Sequence, residues 1–346
     1  MKGRDIVGDV HGELSALLAL LDVLGYERRA GSWRAPDGRG LVFVGDLVDR
    51  GPDPLGVLRL VRDLEQAGVA LCAMGNHEYN CLCWHAETDP ELAPPLAVER
   101  AKSDPACRWL RSHDVKHLRQ ARSTLDAFAS VSPDEVRSHL DWMQGLPLLL
   151  DFGGVRVVHA AWVEPCVSRL RALGRPVEVD GGTGVGITPE FLQRSWGAWK
   201  HPSRTEEFEL VEYLIKGPEI DLPPGLSYAD KEGTVRTRAR LRWWRPRDEL
   251  LCAPWEGRCL FPAGFAAAGE GGPVDPAALG PVGYPEGEPP VVVGHYWESG
   301  VGQPWSPRAG CVDWSVAKGG RMCAYRWEGE RELRSDRFVA VSGPAV

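Results

Sequence analysis

Apolar runs and polar turns alternate with a regular beat along the first eighty residues. Arg4-Asp5-Ile6-Val7 leads into the turn Gly8-Asp9-Val10-His11-Gly12. Leu14, Leu17, Leu18 and Leu21 follow at helical spacing, and Gly25 stops them. Leu41-Val42-Phe43-Val44 is all apolar, as a strand buried on both faces would be. It ends in Gly45-Asp46-Leu47-Val48-Asp49-Arg50-Gly51. Leu55, Leu58, Val61 and Leu64 mark a second helix, stopped by Gly68, and residues 69–74 form a third apolar run ending in Gly75-Asn76-His77-Glu78. Strand, polar turn and helix thus recur about every thirty residues, the size of a βαβ unit. Each turn sits at the carboxyl end of its strand, the edge where open α/β sheets bind ligands, so the three turns should meet on one rim.

The later pattern is less regular. Residues 33–39 read as a polar turn. Residues 81–145 read as helical, best over 118–128 and 133–143. Residues 146–152 and 155–158 read as a hairpin through Gly153-Gly154 that delivers His159. From 163 to 290 periodicity fades and Gly, Pro and Trp accumulate, which predicts an irregular insertion within a single domain spanning 1–346, with 264–290 a surface loop. Val291-Val292-Val293 is a buried strand ending in Gly294-His295. Cys311-Val312-Asp313 and residues 322–327 read as closing strands, joined by Lys318-Gly319-Gly320.

Composition narrows the class. The 346 residues are 43% apolar and 25% charged, ordinary for a globular protein with a core, while 40 Gly and 28 Pro favour loops over a helical bundle. A net charge of −8 argues against indiscriminate nucleic-acid or membrane binding. No segment approaches the roughly 18 apolar residues of a membrane span. Nine cysteines, odd in number and without a C-x-x-C pair, fit neither a disulfide framework nor a zinc knuckle. Asp9 lies so near the start that removal of a targeting peptide would damage its turn. The expectation is a soluble cytoplasmic protein with no membrane or stable nucleic-acid partner.

The chemistry gathers at strand ends: Asp9 and His11, then Asp46, Asn76, His159 and His295. Any one of these alone reads as a loop cap or a satisfied core histidine. The ordered set of five strand-end blocks does not. Oxygen and imidazole donors without thiolates suit manganese, iron or zinc better than calcium or magnesium. Six ligands suit two ions about 3.5–4 Å apart sharing one carboxylate.

Gly8-Asp9-Val10-His11-Gly12, Gly45-Asp46-Leu47-Val48-Asp49-Arg50-Gly51 and Gly75-Asn76-His77-Glu78 resemble the signature of the calcineurin-like metallophosphoesterases. The closer likeness is to the branch holding phosphoprotein phosphatases and diadenosine tetraphosphatases. The resemblance implies an α/β fold, an α+β sandwich of central sheets flanked by helices. It implies that Asp9, His11 and His295 hold one divalent ion, that Asn76 and His159 hold another, and that Asp46 bridges them. The ions would be manganese first, with iron, zinc or nickel as the others. A bridging hydroxide would attack phosphorus in line, His77 would protonate the leaving oxygen, Asp49 would hold the His77 imidazole charged and oriented, and Arg50 would clamp the phosphoryl oxygens. Glu78 reads as a support for the turn. His159-Ala160-Ala161-Trp162 departs from the two glycines many phosphoprotein phosphatases carry there, and the hairpin after Val312-Asp313-Trp314 resembles that of diadenosine-tetraphosphatase-like members.

The implied substrate is a phosphoprotein, a phosphorylated small molecule or a nucleotide such as a dinucleoside polyphosphate. Residues 235–244 read as one strand with Arg236, Arg238, Arg240 and Arg242 on a single face. That face is either a basic wall for a polyanion or a solvated surface paired with Glu206, Glu207, Glu209 and Glu212. Lys216, Trp196 and Trp199 are further candidates. A catalytically silent metal-binding module is disfavoured by the intact Asp49–His77 pair. A nuclease of the same superfamily is disfavoured by Asp49-Arg50 and the acidic charge.

Overall fold

The computed structural model describes residues 3–195, 204–229, 233–262, 265, 274–299 and 302–343. The opening elements are strand β1 (Arg4–Val7), helix α1 (Leu14–Leu24), β2 (Gly40–Phe43), α2 (Pro54–Gln66), β3 (Ala70–Cys72) and α3 (Asn76–His85). β1 pairs parallel with β2, and β2 with β3. Their caps follow from sequence: Gly25 closes α1 in the left-handed conformation, and the Asp53 side chain accepts the Gly56 N–H at the start of α2, where Pro54 fills the first turn.

Helices α4 (Val115–Phe128) and α5 (Pro133–Gly145) precede the hairpin β4 (Pro147–Asp151) and β5 (Arg156–Val158). Next come α6 (Glu164–Leu173), β6 (Arg175–Val179), β7 (Gly182–Gly186), α7 (Glu206–Lys216), β8 (Glu219–Asp221), β9 (Arg238–Leu241) and β10 (Cys259–Leu260). The chain closes with β11 (Val291–Val293), β12 (Ala309–Cys311), β13 (Asp313–Trp314), β14 (Arg321–Trp327) and β15 (Phe338–Ser342).

Two large sheets result. One runs β13-β14-β1-β2-β3, with β15 also paired to β14; the other runs β12-β11-β5-β4-β7-β6. Ile6, Val42 and Tyr325 of the first and Leu150, Val157 and Val292 of the second belong to one buried apolar cluster, so the sheets face each other across a shared core. Leucines of α1 and α2 belong to a second cluster. Strand ends from both sheets therefore open onto a common rim.

Several expectations change. The stretch 163–290 is more regular than its composition suggested, because β6 and β7 extend the second sheet and β8-β9-β10 form a small sheet of their own. Residues 27–34 form a hairpin whose second strand takes in residues 33 and 34 of the expected polar turn, and β15 was not anticipated. Residues 235–244 are not one strand: Val235–Arg236 pairs with Tyr228–Ala229, Thr237 accepts the Leu222 N–H, and β9 then pairs with β8 and β10. The change of partner at Thr237 breaks the strand, and Trp243 and Trp244 beyond it are buried. The acidic run lies on helix α7, with Glu206 on Arg169, Glu207 on Arg194, Glu209 on Arg204 and Glu212 on Lys216. Trp196 and Trp199 lie outside the described residues. Among the described residues no helix is long and apolar enough to cross a membrane.

Candidate metal centre

The three N-terminal turns are stitched together by backbone. Val10 and His11 donate to the Asp46 carbonyl at 3.0 and 2.8 Å, Gly12 donates to Leu47 at 2.8 Å, and Gly51 donates to His11 at 2.9 Å. His11, Asp46, Asp49 and Arg50 all hold positive φ, between 45° and 67°, a strained choice that clusters at functional sites. Gly45, at φ 103°, lies so close to Gly75 that an added Cβ would sit 2.3 Å from its nitrogen. The Glu78 carboxylate, fully buried in the first turn of α3, accepts N–H groups from Asp46 (2.7 Å), Leu47 (2.7 Å), Val48 (3.3 Å) and Gly75 (3.0 Å). Glu78 supports the turn, as the sequence suggested.

The side chains converge. Asp46 turns Oδ2 to His11 Nε2 at 3.5 Å and Oδ1 to His159 Nε2 at 3.4 Å, so its two oxygens serve two different imidazoles. Asp9 Oδ2 lies 3.9 Å from His11 Nε2, and Asn76 Oδ1 lies 3.2 Å from His159 Nε2. Nδ1 of His11 donates to Val48 O and Nδ1 of His159 to Val44 O, each at 2.9 Å; a carbonyl can only accept, which fixes the tautomers and aims both Nε2 atoms inward.

His295 departs from the expected grouping. Its backbone N–H donates to Asp9 at 3.1 Å, but its φ of 70° turns the ring toward His159, 5.2 Å away. Donor atoms of Asp46, His159 and His295 lie within 4.8 Å of one another. The ring therefore joins the His159 side of Asp46, not the side of Asp9 and His11. A second such group is His11, Asp46 and His77.

His77 donates through Nδ1 to Asp49 Oδ2 at 2.6 Å, and Thr124 on α4 donates to the other Asp49 oxygen. The planar Arg50 fork donates to His11 Nε2 at 2.9 Å and to His77 Nε2 at 3.2 Å, and rests on Trp297, its Cζ 4.5 Å from the ring centroid. Asp313, buried beside the cluster, accepts N–H groups from Trp297 and Ser315. Thr124 and Trp297 carried no signal in the sequence, since neither belongs to a block that ends a strand.

Of the four arginines, Arg238 pairs with Glu219 and Asp221, and Arg242 donates to the Glu256 and Cys259 carbonyls. Arg236 is exposed beside Tyr228–Ala229. Arg240 donates to Lys216 O, lies over Tyr296, and its charge bears on His295.

Charge in the cluster is frustrated. Burial, with Asp313 and Asp46 nearby, pushes the Asp9 carboxyl up. Burial also opposes ionisation of Asp46, but the His159 and His77 imidazoles outweigh it and hold its carboxyl below the usual range. Burial lowers His159, yet the Asp46 charge more than restores it, so that histidine ends above its ordinary value. Burial, then Arg50, lowers His11; burial, then Arg240, lowers His295. His159 Nε2 stands beside the Asp46 and Asn76 oxygens, a set of donors where a cation would be welcome. His295 Nε2 is buried without a hydrogen-bond partner. An orphaned imidazole nitrogen beside clustered carboxylates fits divalent metal ions of the borderline class.

The family model for calcineurin-like phosphoesterases matches residues 5–222. A protein named bis(5'-nucleosyl)-tetraphosphatase PrpE, asymmetrical, from Geobacillus thermodenitrificans is 45% identical over 202 residues, covering 56% of this chain and 71% of that one. A protein of the same name from Halalkalibacterium halodurans is 53% identical over 73 residues, 21% of this chain; the match spans only 30% of that relative's length. A symmetrical bis(5'-nucleosyl)-tetraphosphatase from Pseudomonas putida is 33% identical over 130 residues, 37% of this chain and 42% of that relative. The solved structure of a serine/threonine phosphatase from Saccharomyces cerevisiae aligns over 100% of this chain and 80% of that one, at 12% identity and a TM-score of 0.43.

Proposed function

Because the chain belongs to the calcineurin-like phosphoesterase family, we propose that it is a metal-dependent phosphoesterase acting on a dinucleoside polyphosphate. The observation that carries the metal-site reading is the division of Asp46, one oxygen toward His11 and the other toward His159, with the unpartnered His295 Nε2 beside it. The substrate choice is supported by the names of the relatives.

Asp9, His11 and Asp46 would hold one divalent ion, and Asp46, Asn76, His159 and His295 the other. When bound, two such ions supply Lewis acidity toward the phosphoryl group and make a water acidic enough to attack near neutral pH. The protein does the rest. Arg50 carries its N–H groups on His11 and His77; an anionic phosphoryl group is the stronger acceptor and draws that fork away, which frees both Nε2 atoms. Asp49, itself held by Thr124, then orients His77 so that Nε2 can carry a proton to the leaving oxygen. Of the arginine set, Arg240 lies over Tyr296, the residue after His295, a placement that would allow a further phosphoryl contact.

The test is a panel: diadenosine tetraphosphate, mononucleotides, and phosphoserine, phosphothreonine and phosphotyrosine peptides, each with Mn²⁺. The dinucleotide should give the highest kcat/KM. A phosphopeptide cleaved faster than every nucleotide would overturn the substrate assignment while leaving the phosphoesterase intact.

A further inference from the structure

Trp297 is half-buried and holds φ 53°, a conformation a bulky residue adopts only when its surroundings impose it. The imposing group is Asp313. Its Oδ2 accepts the Trp297 N–H at 2.8 Å and its carbonyl accepts the Glu298 N–H at 2.8 Å. Its Oδ1 accepts the N–H of Ser315 at 3.0 Å, and Ser315 also sits at positive φ. One buried residue thus ties the loop after His295 to the turn that leads from β13 into β14.

That tie sets two cations around one indole. Lys318, on the turn, places Nζ 3.6 Å from the Trp297 ring centroid, and Arg50 places Cζ 4.5 Å from it. The two charges therefore lie no further apart than those distances together. Both residues are exposed, so the pair faces solvent at the mouth of the metal cluster. Cation–π attraction holds each to the ring, and two cations on one indole offer neighbouring contacts to an anion with more than one charged centre. A phosphate monoester offers one such centre, which Arg50 takes. A phosphoanhydride chain offers a neighbouring one.

We propose that Lys318, held over Trp297, receives the phosphoryl group adjacent to the one being cleaved, and so selects phosphoanhydride chains over phosphate monoesters. This rests on the phosphoesterase reading of the same site and adds to it the residue that senses chain length. Trp297 acts through Arg50 and Lys318 as a positioning residue.

Lys318→Met keeps the aliphatic stem and removes the charge. Titration calorimetry on the full Mn²⁺-loaded chain compares inorganic tripolyphosphate with orthophosphate. Tripolyphosphate affinity should fall about tenfold more than orthophosphate affinity, the weight of one solvent-screened, charge-assisted contact. Lys318→Arg should restore the difference. In turnover, kcat/KM for diadenosine tetraphosphate should fall about tenfold more than kcat/KM for para-nitrophenyl phosphate, mostly through KM. Equal weakening of the two anions, or none, overturns the role of Lys318. If the wild-type chain cleaves neither substrate, the phosphoesterase reading fails, and the calorimetric comparison still decides whether Lys318 reads a second phosphate.

Discussion

Replacing Glu78 by Gln isolates how the turn positions Asp46. The carboxylate takes Asp46 and Gly75 N–H groups on Oε2 and those of Leu47 and Val48 on Oε1. Glutamine fills nearly the same volume but exchanges one oxygen for a donor. Whichever oxygen survives, two of the four N–H groups lose their acceptor and face an NH₂. A buried donor left unsatisfied costs about 1–3 kcal/mol, so the change should cost about 4 kcal/mol. For a chain of this size that lowers Tm by about 5 °C. The loss should not stop at stability. The Asp46 backbone is held by Glu78 and its carboxylate faces both imidazole groups, so a loosened turn should weaken Mn²⁺ binding about ten- to a hundredfold, as removal of a ligand's supporting partner does. Scanning calorimetry of the metal-free protein gives the first quantity and Mn²⁺ titration the second. A lowered Tm with wild-type Mn²⁺ affinity would refute the claim that this turn places the shared carboxylate.

Two further outcomes follow from named contacts. His77→Asn should keep metal affinity yet lose rate chiefly on substrates with poor leaving groups; equal losses on alkyl and activated aryl phosphates would remove His77 from the acid role. Burial, then the Arg62 charge, holds His139 below its ordinary 6.5, so below that pH the unfolded chain binds the extra proton. Stability should therefore fall as pH drops through about 6.5, by up to about 1.4 kcal/mol per pH unit from this group. His139→Gln should show a shallower decline of Tm between pH 7.5 and 5.5, and a slope as steep as the wild type's would contradict the assignment.

Strands β1, β2 and β3 were readable because short, buried parallel strands leave uninterrupted apolar runs, each ended by polar residues that cannot enter the core. Asp9, His11, Asp46, Asn76, His159 and His295 were readable for the same reason. Their grouping was not. Which ring joins which side of Asp46 depends on the left-handed turn at His295, and one residue's φ leaves no mark in the sequence. β7 was hidden by its own glycines: Gly182-Thr183-Gly184-Val185-Gly186 reads as a loop, yet an added Cβ at Gly182 would meet Asp151 O at 2.5 Å, so the strand is poor in side chains because its neighbours are close. Helix α7 was obscured by its acidic face, although Phe208, Val211, Leu214 and Ile215 form a buried stripe. The arginine alternation held only over β9, where Ala239 and Leu241 are buried and Arg238 and Arg240 are not. The tie from Asp313 to Trp297 joins turns on either side of β12 and depends on tertiary placement.

The central claim is that residues from both sheets bind two divalent ions and that hydrolysis depends on them. Titrating Mn²⁺ into the metal-stripped protein, while following para-nitrophenyl phosphate turnover, tests it directly. Rate should be near zero without metal and should saturate at about two equivalents, and Asp46→Asn should abolish both binding and rate. Full turnover by the stripped protein, or two tightly bound ions in Asp46→Asn, would contradict it.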